Sequence, residues 1–576
     1  MKTWARVSIS VCGIVIATAA TFGFYSGNVN SILSADSELR RFPSNLEASS
    51  RLPYDVDEER VKELVAQDHR KNGVFSPDDS AGLVAAQREF DILTWQAFLA
   101  LNWPQKTYGE PEPDINDTHG EPLWRYWIPS QKIFLPGGAT PSSWNAEKQV
   151  TEATAKDFVL FKTKAAWRQN ASADDNFQAF SGPLVDQNGK WARYEALVDE
   201  EEFNYILENK LYNLDGQIEF SQRRDNNEVN LPVNEGTRKH GAIEIKLAWK
   251  ELGANDDPKR FYTKQINVKV SGPDVGGKPQ TRTINAGLVG MHIAMRTQSS
   301  PEWIWATFEQ VDNERQNKTD HGLSHANFMN PHLKNVPVNI LPAKNADCTP
   351  PGSKTNCTTW YESLTKTPVQ VERVVVPIQP GLNPVDDVLK KETDALNREV
   401  QDLLRENHSV LQFYELIGTQ WPVRSNAPAF AGGQGSAPES ITNKTPGDMV
   451  PVFLVNTTME TYFQKGKQAA GALEQDDRLP DNSAADSTSV IGTESCIGCH
   501  YSAGICTGYK RNVDGSPALA SNGGKIPVFG ENGHFGRTAH GNFSWMLQIE
   551  ASSPNLSPPS ATPRLHRSGI KPNVQP

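Results

Sequence analysis

The pentapeptide Cys496-Ile497-Gly498-Cys499-His500 constrains this chain more than any other stretch of it. Two thiols three positions apart on one turn of helix can each add to a vinyl group of the same porphyrin, and the imidazole that follows then faces the iron. The pattern predicts one covalent haem c, attached through Cys496 and Cys499, with His500 as the proximal iron ligand. Two other chemistries use these residues. A dithiol redox pair belongs beside a βαβ pattern, which the flanking sequence lacks. A zinc site would draw on Cys496, Cys499, His500 and Cys506, but ligands adjacent in sequence fit a tetrahedron poorly. For the second axial position the candidates are Met546, in the helical stretch 541–549, His534 and His540 in a Gly-rich loop, and Met459 upstream. A core role is the ordinary one for Met546, and an open position would favour catalysis.

The N-terminus places this motif in a compartment. Lys2 and Arg6 precede an almost wholly apolar or small run from Val7 to Phe24, which contains Ala17-Thr18-Ala19. This reads as a secretory signal over residues 1–26 or, with its length near the spanning limit, as an uncleaved anchor. The rest of the chain is expected in the periplasm or outside the cell, with no other membrane segment. There Cys348 and Cys357 are expected to close a small disulfide loop. Formal net charge is −11, and −13 without residues 1–26. A mildly acidic chain argues against nucleic acid as a partner and leaves a redox partner protein or a small-molecule substrate.

Apolar spacing predicts an α+β fold: a large β-rich N-terminal region with flanking helices, then a mostly α, cytochrome c-like haem module. The expected divisions are 27–425, a Pro/Gly/Ser-rich connector at 426–450, the haem-binding region at 451–552 and a disordered tail at 553–576. Helices are predicted around 55–69, over 80–101 and over 385–416. Strands are predicted over 241–249, 287–297, 303–311 and 372–378, with Gln298 to Glu302 as a hairpin turn. A strand and a helix are expected within 450–475.

The hairpin carries the second unusual stretch. If both arms are strands, His292, Ala294 and Arg296 share one face, and Met291, Ile293 and Met295 the other. The second arm adds Trp303, Trp305, Thr307 and Glu309. A face bearing His292, Arg296 and Glu309 makes these the candidate catalytic residues: Arg296 to meet a haem propionate, and His292 with Glu309 to move protons. The plain alternative is a packed sheet with satisfied polar groups. His321, His325 and His332 follow, and a helical metal site there conflicts with Gly322 and Pro331.

The stretches Trp95–Pro104, Gly287–Asn313, Asn456–Gln464 and Cys496–His500 together resemble the bacterial "cytochrome c family protein" group, large exported proteins with one haem c. The resemblance implies haem binding across one large protein and says little about substrate. Two functions follow as expectations. One is electron transfer through a six-coordinate haem. The other is a haem oxidoreductase, peroxidase- or oxygenase-like, with its substrate pocket in the N-terminal region.

Overall fold

A computed structural model describes residues 49–66, 70–71, 74–75, 81–146, 159–160, 182–225, 228–270, 280–314, 326–330, 333, 335–342, 362, 365–373, 386–422, 452, 454–463, 496, 500, 503–519, 524–529 and 544–553. The helices that matter are α1 (Glu58–Ala66), α2 (Ala81–Leu101), α3 (Glu200–Glu208), α4 (Leu214–Ser221), α5 (Asp386–Glu406) and α6 (Trp545–Ile549). The strands are β1 (Ile128–Pro129), β2 (Val159–Leu160), β3 (Arg193–Val198), β4 (Ile243–Glu251), β5 (Thr263–Val270), β6 (Gln280–Met295), β7 (Ile304–Gln310), β8 (Tyr414–Gln420), β9 (Cys506–Tyr509) and β10 (Pro527–Phe529). The fold is α+β.

One eight-stranded sheet organises the chain in the order β8-β7-β6-β4-β3-β1. Strand β6 is long enough to change partners along one edge. Its first half pairs β5, which also pairs β2, and its second half pairs β7. All these pairings are antiparallel except β5 with β2. The alternation predicted for 241–249 and 287–297 sends Ile243, Ile245, Leu247, Met291, Ile293 and Met295 to one face. There they join Phe308, which stacks on Phe98 of α2 with ring centroids 4.2 Å apart. Helix α2 is buried nearly all round because α1, α5 and the sheet each cover part of it.

Helix α5 ends at Glu406, ten residues before the predicted limit, and the reason is local. His408 adopts φ 56°, a left-handed conformation that ends a helix. Ser409 then caps a short 3-10 turn, and the alternation of Tyr414, Leu416 and Gly418 carries the chain into β8. Asn397 of α5 fastens this junction. Its Nδ2 donates to Leu416 O at 2.8 Å, and its Oδ1 accepts from Leu416 N and from Trp95 Nε1.

Beyond 450 the described residues are short stretches. Residues 452 and 454–463 form an extended stretch, a turn and a 3-10 turn at Thr461–Phe463, and the rest of the stretch expected to hold a strand and a helix, 464–475, lies outside the described residues. Residues 503–553 contribute the β9–β10 pair and the five-residue α6. Gly504, Gly508, Gly515 and Pro517 punctuate this stretch too often for a longer helix. Among the described residues this region has no hydrophobic cluster of its own. Ile505, Met546 and Leu547 enter the main core, Val452 and Leu454 a second cluster, and Met459 and Tyr462 a third. The signal, the tail, the connector, the 372–378 strand beyond Arg373, and the Cys348–Cys357 loop lie outside the described residues.

Candidate functional site

The sheet face opposite Met291, Ile293 and Phe308 is where polar chemistry collects. Register places three rows across it. The first runs Glu244–Ala294–Trp305, the second Lys246–His292–Thr307, and the third Ala248–Gly290–Glu309. The third row is apolar toward β3, where Tyr194 and Ala248 pack with Met459 and Tyr462. The first two rows carry charge.

The segment after Val452 is laid over these rows by a set of hydrogen bonds. Asn456 Nδ2 donates to Thr307 Oγ1 at 2.8 Å and to Phe308 O at 3.0 Å, beside the bulge that interrupts the β7–β8 ladder. Its Oδ1 accepts from the Thr458 amide and hydroxyl. Thr457 donates its amide to Glu309 Oε1 at 2.7 Å, and its hydroxyl bonds the other carboxylate oxygen. Gly290 makes room for this contact, because an added Cβ would run into Thr458 Oγ1 and sit 3.1 Å from Asn456 Oδ1.

Glu309 is thereby given a structural task. It is fully buried, holds Thr457, and pairs with Arg373 at 3.3 Å. Arg373 also faces Glu314 and Glu415. Burial opposes the charge of this guanidinium, but the three carboxylates outweigh it and hold its pKa above the ordinary value.

Arg296 is likewise structural. It lies just past the end of β6 and spans the hairpin, donating from Nε to Pro301 O at 2.8 Å and from Nη2 to Asn230 Oδ1 at 2.7 Å. Burial lowers its pKa to about 10. Its amide still bonds Ala242 O at 2.9 Å and its guanidinium lies near Tyr205 of α3; the turn at Thr297–Ser300 follows it. Trp303 completes that turn with φ 72°, a strained conformation for a buried aromatic residue.

His292 does have an acid–base partner, and it is Glu460. His292 Nε2 lies 3.1 Å from Glu460 Oε1, with both side chains mostly buried. Burial works to raise the Glu460 carboxyl, but His292, Lys246 and the Asn456 amide outweigh it and leave the group below its ordinary range. Spacing along the chain gave no sign of this pair, because 168 residues separate its members.

The described members of the pentapeptide dock next to this face. The Cys496 amide donates to Leu454 O at 3.1 Å, and its thiol bonds the same carbonyl at 3.4 Å. Cys496 packs against both the main core and the second cluster. The His500 imidazole rests on the Trp305 indole, ring centroids 4.4 Å apart and tilted by 48°. Trp305 in turn lies 5.9 Å from Trp303, ring centroid to ring centroid.

The chain matches no family model, no curated protein and no solved structure.

The remaining candidates divide. Met546 is buried in the main core, the cluster Cys496 touches, whereas Met459 is buried in the third cluster. Cys506 is buried in the main core beside Gly508 O, and burial pushes its thiol up to about 11. Among the described residues no group of three or more His, Cys, Asp or Glu is placed to hold a metal ion. Cys499, His321, His325, His332, His534 and His540 lie outside the described residues.

Proposed function

We propose that this chain is an exported c-type cytochrome that carries one covalent haem on Cys496 and Cys499, ligated by His500, and serves in electron transfer. The observation that carries the reading is the seating of His500 on Trp305 while Cys496 is pinned to Leu454 O. A thiol and an imidazole from one pentapeptide are thus held against an apolar, aromatic wall, which suits a flat macrocycle and its iron. When bound there, haem supplies a one-electron couple. The protein's part is to fix and shield it. Cys496 anchors from a half-buried position between two clusters, and His500 presents its ring. Trp305 keeps water from one side, and Asn456 and Glu309 hold the covering segment in place. An exported location and a redox partner protein belong to the same proposal.

The His292–Glu460 pair favours a second reading, a haem oxidoreductase. An ionised carboxylate bonded to an imidazole keeps that ring oriented to take a proton at its other nitrogen.

The Cys499→Ala variant, expressed in a host that matures c-type haem, tests the central claim. Wild type should keep a haem stain through a denaturing gel and the variant should lose it. A stain retained by the variant, or absent from the wild type, rejects covalent attachment at this motif. Spectra of the ferric and dithionite-reduced protein with and without CO then separate the readings. Bands that CO leaves unchanged support electron transfer and make Met546 the first residue to replace. A high-spin spectrum that shifts with CO moves the assignment to the oxidoreductase.

A further inference from the structure

Glu202 sits in the first turn of α3 with its side chain fully buried, and neither carboxyl oxygen has a hydrogen-bond partner among the described residues. An ionised carboxylate so placed is very costly, whereas the neutral acid is not. Two other carboxyls lie within electrostatic reach of it, Glu244 of β4 and Asp199, which caps the helix by accepting from the Glu202 amide at 3.0 Å. Helix α3 begins where β3 ends, and Val198, the last residue of β3, pairs with Glu244, so this register fixes the juxtaposition.

The groups around the pair are mainly acidic. Glu200 and Glu201 share the first turn of α3, and Glu201 is already paired with Lys239. Lys246, two positions along β4, is the cation that bears on Glu244. From the C-terminal side, Ser544 lies against Glu244, and Glu550 of the α6 end approaches both Ser130 and Glu244. Burial raises four of these carboxyls: Asp199 to about 8, Glu244 and Glu550 to about 7, and Glu202 well above its ordinary value. Glu244 is half-buried and so gives the dry end at Glu202 a route to solvent.

The same register connects the pair to the His500 seat. Glu244 lies opposite Ala294, and Ala294 opposite Trp305, which carries the His500 ring. Two strand spacings, about 10 Å, separate Glu244 from Trp305. Only the Ala294 methyl stands between them in the row. A charge added beside Trp305 acts on the carboxyls through a poorly screened interior.

We propose that Glu202 and Glu244 form a proton-binding site coupled to the charge of the site at His500. When an electron reaches that site from a redox partner, one proton from solvent buffer enters by way of Glu244 and converts a carboxylate of the pair to the acid. Departure of the electron returns the proton to solvent. The coupling rests on the electron-transfer reading above, whereas proton binding by the pair does not.

Infrared spectroscopy of the full-length protein reads proton binding directly. At neutral pH a protonated-carboxyl stretch should be present, and Glu202→Gln should remove it in part or whole. Glu244→Gln, at the half-buried position, gives a second variant should Glu202→Gln fail to fold. A band unchanged in both variants overturns the proton site. The reduction potential measured against pH reads the coupling. It should fall with rising pH through neutrality in wild type, and both variants should lose at least half of that dependence. A flat wild-type curve, or an equal slope in the variants, overturns the coupling. If the protein takes up no haem, the coupling fails together with the proposed function, and the infrared band alone decides the proton site.

Discussion

Replacement of Glu309 by Ala separates a structural clamp from a catalytic acid–base group. The carboxylate accepts from the Thr457 amide at 2.7 Å and from its hydroxyl, and it faces Arg373 at 3.3 Å, all in a fully buried setting. Hydrogen bonds to charged groups contribute about 1.5–3 kcal/mol each. Removing one partner of a buried pair costs about 3–5 kcal/mol. These overlap, because one carboxylate makes both interactions, so the sum is not the expectation. Arg373 retains Glu314 and Glu415, which limits the loss further. We expect about 3–5 kcal/mol for Glu309→Ala and roughly half of that for Glu309→Gln, which keeps an acceptor for Thr457. Guanidinium unfolding, followed by tryptophan fluorescence and by circular dichroism, reads the midpoint, with the slope unchanged if only stability has moved. A Glu309→Ala variant within about 0.5 kcal/mol of wild type refutes the clamp.

Gly290→Ala should cost about 1–3 kcal/mol by forcing Thr458 and Asn456 off the sheet, and heightened amide exchange at 456–460 would show it; an unchanged midpoint and exchange pattern would contradict the close approach. The Cys506 thiol, buried and raised to about 11, should resist iodoacetamide at pH 8 in the folded protein and react after unfolding; rapid native labelling would count against its burial. Because the folded Glu460 carboxyl stands below its ordinary value, its stabilising contribution is full above the unfolded pKa and is lost as pH falls through the folded one. Glu460→Gln should therefore be less stable than wild type near neutrality and draw level in acid, and a difference independent of pH would reject the ion pair. Burial raises Asp91 to about 6, so this group removes stability as pH rises from about 4 to about 6. Asp91→Asn should flatten that slope, at the expense of the bond from Thr393 Oγ1, and an unaltered slope would argue against the shift.

Periodicity read the sheet well where one face is buried. The alternation of Ile243, Ile245, Leu247, Met291 and Ile293 gave both strands and the side that faces α2. It failed at residues 407–416, where turn chemistry rather than hydrophobic spacing decides: a left-handed His408 ends the helix. The site was legible in its sheet residues and not in its covering segment. His292 announced itself as a histidine on a strand, but its partner Glu460 and the clip from Thr457 to Glu309 arise from a segment about 150 residues further on. Local pattern carries no information about such pairings, and polar residues in an irregular stretch have no period to read. The donors to Glu309 were hidden for the same reason, since they come from outside the hairpin.

The attachment of Ser552 has a consequence for how the chain reaches its native form. Its backbone carbonyl accepts from Leu214 N, and its hydroxyl bonds Gly138 N and Leu135 O, more than 400 residues earlier in the last two cases. Contacts of such separation form late, because the intervening chain must first be ordered. The strands of the sheet precede Cys496 in sequence and leave a ribosome or a membrane channel first, so the wall at Trp305 can assemble while the pentapeptide is still unfolded and open to chemical modification. If haem is attached at Cys496 as proposed, closure by Ser552 follows the step at which its thiol must be reachable. A chain truncated before residue 544 should keep its sheet, fold faster, and hold the segment around His500 loosely.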